Sequence, residues 1–127
     1  MIEEVGDLIN SHFPGLKNVG YLSTHGSYLA RQYHQLENFG LNIIYVSEQE
    51  IKTVHAAIYH PVYGIKSNPD KISPESIQIL NSASESLISK GAELIVLGCT
   101  ELPLAFTERY YNKIPLLDST LILARAL

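Results

Sequence analysis

Two unbroken apolar runs constrain the fold most: Leu94-Ile95-Val96-Leu97 inside AELIVLG (92–98), and the β-branched stretch in LNIIYV (41–46). Neither alternates apolar with polar, so neither suits a strand with one wet face. Such runs belong to strands covered on both sides, as in a parallel sheet. NVGYLST (18–24) and IPLLD (114–118) read as two further strands. Apolar residues recur at helical spacing in the other stretches: Ile2, Val5, Leu8 and Ile9 before FPG, then Leu29, Tyr33 and Leu36 up to Gly40. A third stripe is Ile51, Val54, Ile58 and Val62, which Pro61 should interrupt near its end. Ser73-Pro74-Glu75 supplies an N-cap, a proline at the first helical position and a first-turn acid, and Gly91 is a natural stop for that helix. The last ten residues also look helical. Strands alternating with helices predict an α/β fold: a mainly parallel four-stranded sheet, helices on both faces, and right-handed crossovers.

At 127 residues, one domain spanning 1–127 is expected. With 46% hydrophobic and 17% charged residues the chain is not of a disordered type. Its net charge of −4 and the lack of a basic tract argue against a nucleic-acid partner. One cysteine excludes an internal disulfide framework and a cysteine-rich zinc site. No apolar run is long enough to span a bilayer, so no membrane association is expected. MIEEVGDLIN is acidic and amphipathic, unlike a secretory signal or transit peptide, and a cytoplasmic location follows as the simplest expectation.

Ligands of open parallel sheets bind beyond the carboxyl ends of the strands. Two such ends here carry chemistry: STHGSY (23–28), and GCTE (98–101) with the single cysteine. Hydroxyls and backbone N–H groups at strand-to-helix turns suit a carboxylate or phosphate. If Cys99 points at a helix N-terminus, its pKa is expected to be depressed, giving a nucleophile or a proton-transfer group. Spacing alone favours reading Cys99 as a small packing residue. On the same terms STHGSY is a turn with hydroxyl caps, His25 a surface turn residue and Glu101 a first-turn acid favoured by the helix dipole. His12, His34, His55 and His60 have no paired ligand spacing and read as solvated or packing residues.

GAELIVLGCTELPLAF (91–106) closely resembles the C-terminal signature of the aspartate/glutamate racemase superfamily, above all its aspartate and broad amino-acid racemases. NVGYLSTHGSYLARQY, EQEIKTVHAAIY and IPLLDSTLILARAL resemble successive segments of the same family, so the likeness covers nearly the whole chain. It implies one lobe of a two-lobed α/β fold with the site between lobes. It implies a cofactor-independent racemase, working without pyridoxal phosphate or metal. A cysteine on one lobe takes the α-proton and a group on the other returns it from the opposite face. By motif, Cys99 becomes one of the two acid/base groups. Thr24, Ser27, Thr100 and Glu101 become substrate contacts. Lys66, in GIK, resembles a basic residue of some members that would pair with a side-chain carboxylate; it also reads as a solvated loop lysine. The implied small-molecule partner is an acidic amino acid.

Two departures matter. The opening lobe and its Asn-Thr signature do not appear among these residues, and Leu123 stands where many members have His. The expectation is therefore a half-site, completed by a homodimer or by a complementing N-terminal lobe. The alternatives are a non-catalytic module that binds acidic amino acids or another protein, and a maleate- or malonate-type isomerase or lyase with the same cysteine.

Overall fold

The computed structural model describes residues 2–106 and 110–118. The β-branched and aliphatic runs form strands β1 (Asn18–Leu22), β2 (Asn42–Tyr45) and β3 (Leu94–Leu97), all parallel. β5 (Ile114–Asp118) continues the parallel sheet beside β3. A fifth strand, β4 (Tyr110–Tyr111), was not expected. It pairs antiparallel with β5 through a two-residue turn in which Asn112 and Lys113 both have positive φ, of 47° and 71°. Such turns usually announce themselves with glycine, and Asn-Lys does not. Among the described residues the strand order is β2-β1-β3-β5-β4.

Period-two alternation splits each central strand between two layers. Leu94 and Val96 pack with Val5, Ile9, Val19, Tyr21, Tyr33, Leu36 and Leu41. Ile95 and Leu97 pack on the other face with Leu22, Val54, Ile58, Leu80 and Leu87. Helix α1 (Ile2–His12) covers the first face, while α3 (Glu48–Tyr59) and α4 (Pro74–Ser89) cover the second. The predicted start and stop of α4 are present. Ser73 Oγ accepts the N–H of Ser76 at 3.1 Å, and Gly91 follows the helix at φ 106°. Helix α3 begins with a reciprocal cap, Ser47 Oγ accepting from the Glu50 N–H while the Glu50 carboxylate accepts from the Ser47 N–H. It ends at Tyr59 because His60, which precedes Pro61, takes an extended ψ of 133°. Val62 is consequently off the helix and 73% exposed.

The single helix expected through Leu29, Tyr33 and Leu36 is instead two pieces. The short α2 (His25–Ala30) is followed by a 3-10 helix, Gln32–Phe39. Arg31 separates them in the left-handed region, at φ 51°, its N–H bonded to the carbonyls of Ser27 and Tyr28. Its guanidinium lies 4.4 Å from the Tyr45 ring centroid and 5.3 Å from that of Tyr28. Tyr33 and Leu36 stay buried because three-residue spacing repeats on a 3-10 helix, whereas Leu29 turns outward. The helix expected over the last ten residues falls, beyond Asp118, outside the described residues, as does Leu123.

Candidate active site

β1 connects to β2 on one side of the sheet, and β3 leads to β5 on the other. The order therefore reverses between β1 and β3, and the carboxyl ends of these two neighbours form the topological switch point at which open α/β sheets bind ligands. STHGS leaves β1 there and GCTE leaves β3. The Gly98 N–H, bonded to the Leu22 carbonyl at 2.8 Å, ties the two turns together.

Gly98 is required by close approach, not by its φ. A Cβ at this position would collide with the ring of Tyr21, whose hydroxyl would lie 2.6 Å away. Tyr21 is 2% exposed and faces Ser23 and Ser27, and burial pushes its phenol up to about 12. The glycine lets the chain pass over Tyr21 and delivers Cys99 to the crevice.

Four of the sequence-predicted residues meet here. The half-buried Cys99 donates its S–H to Glu101 Oε2 at 2.8 Å. Thr100 Oγ1 donates to the same oxygen at 3.0 Å, and Lys66 Nζ pairs with Glu101 Oε1 at 3.1 Å. Lys66 comes from a 3-10 turn, Ile65–Ser67, and its ammonium also lies 4.8 Å from the Tyr59 ring centroid. Both carboxylate oxygens of Glu101 are thus engaged.

The expected depression of the Cys99 pKa is overturned. Burial pushes the thiol up to about 11, and the adjacent Glu101 carboxylate adds to the rise. The N–H groups of Glu101 and Leu102 act in the opposite sense and lose, since the helix that follows, α5 (Leu102–Ala105), has only four residues. Burial also works to raise Glu101, but hydrogen bonds from Cys99, Lys66 and Thr100 outweigh it and hold the carboxyl below its usual range. The same pairing raises Lys66. The resting arrangement is a protonated thiol on an ionised carboxylate clamped by an ammonium.

Thr24 and Ser27 form a second group at the end of β1. Thr24 is the N-cap of α2, but the Ser27 N–H reaches its Oγ1 only at 3.5 Å, and Thr24 Oγ1 to Ser27 Oγ is 3.4 Å. These lengths exceed those of good hydrogen bonds, which leaves both hydroxyls able to take a better acceptor.

Sequence reasoning missed the residues between the two groups. His55 is not merely solvated or packing: its Nδ1 accepts the backbone N–H of His25 at 3.2 Å, and its ring lies 4.7 Å from that of Tyr59. The available signal was their i, i+4 spacing on α3. Among the described residues no cluster of three or more His, Cys, Asp or Glu could hold a metal ion, and no helix is long and apolar enough to cross a membrane.

Residues 1–127 match the family model described as Asp/Glu/Hydantoin racemase. The structure is similar to that of a candidate Asp/Glu racemase from Yersinia pestis, with a TM-score of 0.74 at 23% identity over 98% of this chain and 52% of that one. It also resembles an aspartate racemase homologue from Pyrococcus horikoshii, TM-score 0.73, 25% identity, 98% of this chain and 52% of the other. Against the aspartate racemase of Picrophilus torridus the values are 0.68, 21%, 98% and 51%. The chain thus spans about half the length of the solved structures it matches.

Proposed function

Because the chain belongs to the Asp/Glu/Hydantoin racemase family, we propose that it carries one half-site of a cofactor-independent amino-acid racemase acting on an acidic amino acid. The observation that carries this reading is the Lys66–Glu101–Cys99 cluster at the β1/β3 switch point. Cys99 serves one face of the substrate α-carbon. As a thiol it donates its proton to the carbanion; as a thiolate it breaks the α-C–H bond and becomes S–H. The hydroxyls of Thr24, Ser27 and Thr100 receive the α-carboxylate. Lys66 receives a side-chain carboxylate, which competes with Glu101 for the ammonium. Glu101 does not hold a substrate carboxylate, since two anions repel; it acts by accepting the S–H of Cys99.

Racemisation needs proton transfer on both faces of the α-carbon, and one thiol supplies one face. The opposite group comes from a complementing lobe or a second copy of this chain. In support, Leu29 on α2, Tyr59 on α3, Val62 in the turn after α3 and Leu104 on α5 are exposed at 67%, 42%, 73% and 47%. The thiol's pKa of about 11 also favours a second reading, a module that binds acidic amino acids without turning them over.

The two readings separate by α-proton exchange in D₂O with L- and D-aspartate and glutamate. We expect negligible inversion by dilute monomer and inversion that rises with self-association or with an added N-terminal lobe. Cys99→Ser should lose exchange and keep weak binding. Fast inversion by a proven monomer, at a specific rate independent of concentration, refutes the half-site. Binding with no exchange under any of these conditions selects the module.

A further inference from the structure

The two groups of site residues are joined by a row of contacts that runs from one of the quoted segments to the next. His55 Nδ1 takes the N–H of His25, the residue between Thr24 and Gly26. Its ring lies against Tyr59, tilted by 31°, and Tyr59 in turn carries the ammonium of Lys66 on its face. An imidazole that accepts at Nδ1 is neutral and holds its proton on Nε2. The bond matters locally because α2 has only six residues and its Thr24 side-chain cap is long, at 3.5 Å. The start of so short a helix needs an outside partner for its N–H groups.

We propose that His55 is the positioning residue of the Thr24–Ser27 turn: as a neutral acceptor it fixes the His25 N–H, and its protonation releases the turn. Protonation places a second donor at Nδ1 opposite the His25 N–H, so the bond becomes a repulsion. The titratable side chains on this side are His25 on α2, Tyr59 on α3 itself and Lys66 on the following 3-10 turn. None of these groups is a carboxylate that could pair with a charged His55. The consequence for ligand affinity rests on the reading of Thr24 and Ser27 as carboxylate contacts; the tether itself does not.

The test is amide and imidazole NMR on the full chain. In the wild type the His25 amide shift should titrate in step with the His55 ring. In His55→Leu, hydrogen exchange at the His25 amide should be roughly three- to tenfold faster, the range for one lost hydrogen bond. His55→Asn, whose side-chain oxygen lies near the position of Nδ1, should restore the protection. Aspartate affinity should fall in His55→Leu, return in His55→Asn, and fall in the wild type with the same titration. A His25 amide that ignores the His55 titration, or equal exchange in the Leu and Asn variants, overturns the proposal. If His55→Leu fails to fold, the wild-type titration and His55→Asn decide alone. If the amide behaves as expected but aspartate binds to no variant, the tether stands and the carboxylate reading falls.

Discussion

Alkylation of Cys99 by iodoacetamide is expected to rise about tenfold per pH unit up to about pH 9 without levelling, because only the thiolate reacts. The thiol is held up to about 11 by burial first and by the Glu101 carboxylate second. Glu101→Gln removes the second cause: the anion goes, and an amide replaces the charged acceptor 2.8 Å from sulfur. The apparent pKa should then fall by roughly one unit, burial keeping the rest of the elevation. A less basic thiolate is also a weaker nucleophile, so the net rate gain below the pKa is roughly three- to fourfold per unit. The sign is the informative part. A plateau near pH 8 in the wild type, or slower alkylation in Glu101→Gln, would show that Cys99 is not held as a thiol by its neighbour. In a two-face mechanism a thiol kept protonated is the proton donor of the pair. The opposite face must then hold the base when the first substrate arrives.

Gly98→Ala should cost about 3 kcal/mol or more, at the upper end for inserting one methyl group into packed surroundings. The backbone at Gly98 is not in the left-handed region, so conformation is not the obstacle. The obstacle is the Tyr21 ring, which cannot swing away: Tyr33 lies 4.6 Å from it on one side and Tyr45 makes an edge contact at 6.1 Å. Urea unfolding should show a lower midpoint, and the Cys99 turn should shift. Combining it with Tyr21→Leu should recover part of the loss, since the two changes share one contact. A wild-type midpoint for Gly98→Ala would show that the chain passes Tyr21 with room to spare.

The sheet was legible because β3 is an unbroken aliphatic run and β2 is built on Ile43-Ile44, although β2 lies at the sheet edge and is only partly buried instead of covered on both faces. The caps of α4 were legible because Ser73 and Gly91 act through local geometry. Three features were not. The break at Arg31 depends on stacking over Tyr45, a residue of another strand, so the stripe Leu29-Tyr33-Leu36 suggested one helix. The Tyr110–Tyr111 hairpin turns on two non-glycine residues at positive φ, which only the pairing with β5 explains. The thiol's environment was misjudged because the motif shows a helix start after Cys99 but not its length. A four-residue helix cannot outweigh burial and a carboxylate two residues away. The motif residues Cys99, Thr100 and Glu101 are contiguous, whereas Lys66, Tyr59 and His55 join them only through the fold.

The same separation governs when the crevice comes into being. β1 lies beside β3, and the Asn18 N–H meets the Glu93 carboxylate across 75 positions of chain. Neither turn has its partner until that long loop closes, and closure of distant segments is the slow part of folding. Before closure Cys99 is an ordinary solvated thiol with a pKa near 8.5; afterwards it is shielded and gives up its proton only with difficulty. The cysteine is thus a clock for the chain's own assembly, and the fraction still open to a brief alkylating pulse during refolding counts the molecules in which β3 has yet to find β1.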